Sequence, residues 1–222
     1  MNWLKTIAAA SCAAIIGSTA SAATVVNGGF ELGPNLDGSW DIFEGAGGDG
    51  PTAITGWSAD PNIEIQTADT LSQIDPNSGD RYAELDTNTN ATIYQDILLD
   101  AGTYLLSFFY SPRVNDTSAD ANTNDMSYSV AGLSGSILGA PTLGEFNYSE
   151  WTEVTGYFTV EDDDTTVTLS FQASGETPTS GCGNCGALLD DVSIAAVPLP
   201  AGLLLMLSAV GAFGFARRRT QA

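Results

Sequence analysis

The sequence contains no histidine, and of its 222 residues only 6 are Lys or Arg against 27 Asp or Glu. Without imidazole there is no His general base, no Ser-His-Asp or Cys-His nucleophile pair and no His zinc ligand, so most hydrolase constellations cannot be assembled. The few cations are concentrated at the ends. Lys5, Arg217, Arg218 and Arg219 stand in the terminal segments, leaving Arg81 and Arg113 against 27 acids between Glu31 and Asp191, a net of −25. That stretch has no Lys, which removes Schiff-base chemistry and a P-loop. A body this acidic also cannot neutralise nucleic-acid phosphates. Sustained helical periodicity is missing outside the C-terminal tail. What is present is 43% hydrophobic content with 4 Trp, 7 Tyr and 9 Phe, enough for the packed core of one ordinary domain.

The two ends read as addresses. Residues 1–23 have a short polar start with Lys5, an apolar run from Ile7 to Ile16, and Ala20-Ser21-Ala22, a small-x-small pattern suited to signal peptidase. Cleavage there would remove Cys12 and leave two cysteines, Cys182 and Cys185, in an exported chain where oxidation is permitted. Near the other end Val197, Pro198, Leu199, Pro200 and Ala201 precede an apolar run to Ala216, closed by Arg217, Arg218 and Arg219. As a helix, residues 201–216 would extend roughly 24 Å, just enough for a thin bilayer crossing. The arginines would keep the C-terminus cytoplasmic and the acidic body outside.

This three-part tail resembles the bacterial PEP-CTERM sorting signals, and residues 197–201 match the VPLPA variant letter for letter. The resemblance implies an exosortase-type transpeptidase as partner. The protein would be an inner-membrane intermediate first and then a resident of the cell surface or extracellular matrix. A permanent single-pass anchor is the alternative.

Between the addresses, residues 24–196 form short period-two segments separated by Gly, Pro, Asn and Asp clusters. Thr166 to Phe171 alternates cleanly, and Trp151 to Val160 sets Val154, Phe158 and Val160 opposite Trp151, Glu153 and Tyr157. Further strands are predicted at Thr24–Glu31, Ile63–Gln66, Arg81–Asp86, Thr92–Leu98, Thr103–Ser111, Met126–Val130 and Ala187–Ala195. Thr103–Ser111 is apolar on both faces and should run centrally. About nine or ten strands at this spacing predict an all-β jelly-roll sandwich.

Four segments then fall into a family pattern: Val26-Asn27-Gly28-Gly29-Phe30-Glu31, Gly56-Trp57, the stretch from Gly79 to Asp86, and Ala187-Leu188-Leu189-Asp190-Asp191-Val192. Their order resembles the galactose-binding-like jelly-roll superfamily. Within it the sequence is most similar to carbohydrate-binding modules with an Asn-Gly-x-Phe-Glu start and to modules related to the plant cell-wall domain-of-unknown-function group. The resemblance implies that the first and last strands meet, bringing Glu31 beside Asp190 and Asp191. It also implies a structural Ca²⁺ held by these three carboxylates, whose hard oxygens suit that ion. Turn capping by one Asp, with the others solvated, is the alternative.

Cys182 and Cys185 form a CxxC before a strand, with no partner pair for zinc and no helix to activate a thiol, so they read as a local disulfide. For sugar recognition the candidates are the aromatics Tyr82, Tyr94, Trp151 and Tyr157, with Arg113 and Asn115 in a loop. Each aromatic could equally seal the sandwich edge, and Trp57, Tyr104 and Phe108 read as core. The expected function is a non-catalytic, calcium-stabilised module binding exopolysaccharide at the cell surface or matrix. A structural or adhesive matrix protein without a sugar site is the alternative, and a two-carboxylate glycosidase a third reading.

Overall fold

The computed structural model describes residues 25–44, 54–71, 74–85, 89–113, 124–137, 150–174 and 186–198. The signal peptide, Asn115, Cys182, Cys185, and the tail from Leu199 through Ala201 to Arg217, Arg218 and Arg219 lie outside the described residues.

Eleven strands are formed among the described residues: β1 Trp40–Glu44, β2 Ser58–Asp60, β3 Asn62–Thr67, β4 Arg81–Glu84, β5 Thr92–Leu99, β6 Gly102–Pro112, β7 Met126–Val130, β8 Leu133–Ile137, β9 Thr152–Val160, β10 Thr165–Ala173 and β11 Ala187–Ala196. They make two antiparallel sheets, one of six strands in the order β1-β3-β4-β11-β6-β9 and one of five in the order β2-β5-β10-β7-β8. The last strand in sequence is thus internal to its sheet, paired to β4 on one side and β6 on the other.

The sandwich follows from alternation. On β10, Val167, Leu169, Phe171 and Ala173 turn inward while their neighbours face solvent, and on β5 the inward set is Ile93, Gln95, Ile97 and Leu99. The six-stranded sheet answers with Ile63, Ile65, Ala83, Leu85, Leu106, Phe108 and Leu189. Phe108 and Phe171 meet edge to face across the layer, with ring centroids 4.9 Å apart. Each such fully buried side chain contributes about 1.5–3 kcal/mol. β6 lies between β11 and β9, central as expected, though its second face is only half covered, with Leu105 and Phe109 partly exposed; Trp57, Tyr104 and Phe108 are core residues.

Two expectations need correction. Residues 26–29 form turns rather than a strand, for a reason given below. Strands β1, β2 and β8 were not predicted, because three residues suffice for β2 and the exposed face of β8 reads Ser134-x-Ser136, which resembles a turn.

Candidate functional site

The motif 27–31 meets the end of the domain, and each residue in it has a distinct task. Asn27 staples the turn, its amide donating to the carbonyls of Leu32 (2.8 Å) and Thr55 (3.0 Å) and its Oδ1 accepting from the Leu32 amide. Gly28 lies against β11, with the Val192 amide donating to its carbonyl at 3.0 Å. Phe30 enters the core and stacks on Trp57 at 5.4 Å. Glu31 turns outward and its Oε1 accepts from the amides of Asp80 (2.8 Å) and Arg81 (3.0 Å). The Phe30 amide donates to the Asn27 carbonyl at 3.1 Å and both residues have positive φ, 57° and 58°, so the stretch closes as a turn and cannot run on as a strand.

The opposing strand β11 is irregular at the same place. Its register against β6 shifts between Asp190 and Ser193, and Asp191 has φ 49°, in the left-handed region. The bulge lets two consecutive carboxylates reach one loop. Asp190 Oδ2 accepts from the amides of Asn77 (2.9 Å) and Ser78 (3.3 Å), while Asp191 accepts from the Asn77 side-chain amide (2.6 Å) and the Ser78 hydroxyl (2.7 Å). Gly79, at φ 66°, completes the loop, because a Cβ there would stand 2.1 Å from Glu31 Oε1. Atoms of Glu31, Asp190 and Asp191 all lie within 4 Å of where a Cβ on Gly29 would stand. The donors that satisfy them come from residues 77–81, and among the described residues no group of three or more Asp, Glu, Cys or His is spaced to hold a metal ion.

The outward face of the six-stranded sheet carries a second polar assembly. One cross-strand row runs Ile42, Glu64, Glu84, Leu188, Ser111, and the next runs Trp40, Gln66, Tyr82. Glu84 is fully buried and pairs with Arg113 Nη1 at 2.6 Å, while its other oxygen accepts from the Gly186 amide at 2.9 Å. The Gln66 amide bridges the two acids, donating to Glu64 Oε1 at 2.6 Å and to Glu84 Oε2. Gln66 Oε1, the Tyr82 hydroxyl and the Ser111 hydroxyl are buried without a hydrogen-bond partner. Buried polar atoms are rarely left so. At the rim the Arg113 side chain is 19% exposed and Trp40 46%.

Three of the six predicted sugar contacts meet here. Tyr82 packs edge to face with Trp151 at 5.7 Å, and Trp151 donates from its indole to the Asp75 carbonyl at 2.8 Å. Arg113 joins them through Glu84. Tyr82 itself is 0% exposed, in a satellite cluster with Ile74 and Leu188, so its ring seals the face and offers no surface for stacking. Tyr94 lies on the other sheet, beside Ser58 and Ser170, and Tyr157 is exposed on β9 at the edge of the six-stranded sheet. Sequence reasoning missed Trp40, Glu64, Gln66 and Glu84. The signal was polar residues at alternate positions, Asn62, Glu64 and Gln66 on β3 and Tyr82 and Glu84 on β4, set against the buried apolar Ile63, Ile65 and Ala83.

Burial moves three of these acids upward. Desolvation, with Asp191 adding to it, pushes Asp190 up to about 7 against the stabilising amides of Ser78 and Asn77. Desolvation outweighs the Arg113 charge at Glu84 and pushes it up to about 8, and Glu64 is raised by burial as well. In the unfolded chain these protons leave near 3.8 for Asp and 4.5 for Glu. The stability they confer is therefore full below those values and is lost as pH rises through about 7 for Asp190 and about 8 for Glu84. A melting series across this window, in enough salt to screen surface repulsion, should show Tm falling toward the alkaline side. Asp190→Asn should flatten the part near neutrality, and a wild-type Tm that rises with pH would contradict the assignment.

Comparison with solved structures places the fold. A cyclase from Fischerella sp. TAU is 14% identical, with 82% of this chain and 100% of that chain covered and a TM-score of 0.55, a likeness of fold. A family 61 carbohydrate-binding module in complex with beta-1,4-galactotriose is 15% identical over 80% of this chain and 100% of that one, at a TM-score of 0.48. A family 35 carbohydrate-binding module from Clostridium thermocellum is 14% identical over 72% and 99%, at 0.41. No curated protein matches in sequence. Residues 23–195 match the family described as Protein of unknown function (DUF642), and the chain belongs to that family.

Proposed function

We propose that this protein is a non-catalytic, exported component of the cell surface or extracellular matrix that binds carbohydrate through the outward face of its six-stranded sheet. The observation that carries the reading is the pair of adjacent rows from Ile42 to Ser111 and from Trp40 to Tyr82. They set a buried polar floor of Glu64, Gln66, Glu84 and Ser111 on one face, and the groups open to solvent at its rim are the Arg113 guanidinium, Trp40 and Trp151. This is the inventory that saccharide recognition requires: bidentate polar groups for hydroxyls and flat aromatic surface for pyranose C–H faces. A purely structural matrix role is supported by the burial of Glu84, Gln66 and Ser111, which leaves only the rim in contact with solvent.

Affinity electrophoresis and calorimetry against a panel of soluble polysaccharides separate the two. Trp40 is exposed, so Trp40→Ala should leave folding intact and weaken binding on the order of tenfold. A wild-type protein that binds none of the polymers would leave the structural role standing and remove the proposal.

A further inference from the structure

The opposite face of the sandwich has a different chemistry. A cross-strand row runs Ser134, Ser129, Ser170, Tyr94, Ser58 and spans all five strands of the second sheet. The neighbouring row contributes Ser136, Ser127 and Gln172. Around these residues the sheet forms an open depression of about 440 Å³. Rows in a sheet lie about 6.7 Å apart along the strands and about 4.8 Å across them, so the hydroxyls form a regular two-dimensional array. Each can donate and accept, as the Ser129 and Ser170 hydroxyls do to one another at 3.0 Å.

The lining of the depression includes no Asp, Glu, Lys or Arg. The acids on the same face stand on β5 and β2, outside the lining: Asp96 accepts from the Thr168 hydroxyl at 2.6 Å, and Asp60 ends the row that runs through Gln172 and Thr92. This neutrality selects the occupant. The body carries 27 acids against 6 basic residues in the whole sequence, so an anionic polymer is repelled, and so is a second copy of the same chain. A cation finds no carboxylate in the depression. A neutral polymer bearing many hydroxyls meets neither objection and can exchange its water contacts for the serine array.

We propose that the outward face of the five-stranded sheet is a second docking groove, for a neutral polysaccharide, and that the domain bridges two polymer chains through its opposite faces. The outward faces of two packed sheets point in opposite directions and are separated by a core about 10 Å thick. One domain can therefore hold one chain on each side. The groove stands on its own geometry, whereas bridging rests on the binding proposed for the six-stranded face.

The test uses the whole protein with soluble neutral galactan, glucan and mannan, read by calorimetric stoichiometry and by light scattering of the polymer solution. Ser129→Val together with Ser134→Val removes hydroxyls at exposed strand positions where β-branched side chains are well tolerated, and Ser134→Glu places a charge there instead. The wild type should bind about two polymer segments per chain and raise the scattering at intermediate ratios. Either groove variant should bind about one and lose the scattering rise, while Trp40→Ala should retain the groove's share. Binding confined to one segment per chain and unchanged by both groove variants overturns the groove and leaves the first site intact. Loss of all binding in Trp40→Ala does the same. Self-association without polymer that Ser134→Glu abolishes assigns the face to a second copy and overturns the proposal. A wild type that binds none of the three polymers overturns both readings together.

Discussion

Gly28→Ala should destabilise the domain by more than about 3 kcal/mol, a loss at the upper end of what single overpacking substitutions produce. A Cβ at this position would stand 1.9 Å from the Val192 carbonyl oxygen and 2.9 Å from its carbonyl carbon. Both atoms are backbone, so no side chain can swing aside. The same two residues share the hydrogen bond from the Val192 amide to the Gly28 carbonyl, which fixes their separation. The clash can be relieved only by parting the opening turn from β11, and that also loosens Phe30 from Trp57. Gly29→Ala is the control. Its Cβ would meet Asp191 Oδ1 at 3.4 Å, an ordinary contact, and should cost under about 1 kcal/mol. Urea unfolding of the two variants measures the difference. Equal losses would show that close approach at Gly28 is not what holds the ends of the domain together.

Arg113→Met should cost about 3–5 kcal/mol at pH 8.5, because it leaves the Glu84 carboxylate buried beside Glu64 with no cation. Glu84 is already pushed up to about 8 with Arg113 present, so near pH 6 the variant can relieve itself by keeping the proton. The loss should therefore be smaller in acid than in alkali. Replacing both partners, Glu84→Gln with Arg113→Met, should recover most of the stability at pH 8.5, since the penalty belongs to the uncompensated charge and not to the absence of the pair. Denaturant midpoints for the two single variants and the double variant at both pH values give the answer. If the double variant is as unstable at pH 8.5 as Arg113→Met, the pair is valued for its packing and the electrostatic account fails.

The class of fold was legible because the sandwich rests on alternation, and stretches such as Thr165–Ala173 alternate without interruption. The meeting of Glu31 with Asp190 and Asp191 was legible from family resemblance and not from periodicity. What periodicity suggested there was a strand, and the turn from Asn27 to Phe30 overrides it because Asn27 and Phe30 sit at positive φ. The polar rows on the six-stranded sheet were legible only in part. Arg113 and Trp151 were picked out for their chemistry, but Glu64 and Glu84 are separated by 20 positions and become neighbours only through the register of β3 with β4. A sequence does not display register directly, since a one-residue slip moves every side chain to the other face. The exposure of Trp40 was hidden for a similar reason, as its strand is an edge whose pairing with β3 determines which residues face outward.

The insertion of β11 between β4 and β6 has a kinetic meaning. Every other strand of the six-stranded sheet precedes it in sequence, so until the last part of the domain has been made and released, β4 and β6 present unpaired backbone edges toward one another. The opening turn likewise has nothing to clasp before Val192 is available. Folding must therefore end by threading a final strand into the middle of a half-built sheet, a contact of high sequence separation and so a slow one. A chain truncated before Ala187 should survive only as an open-edged, aggregation-prone intermediate, and the period between synthesis and closure is when this protein is most exposed to its neighbours.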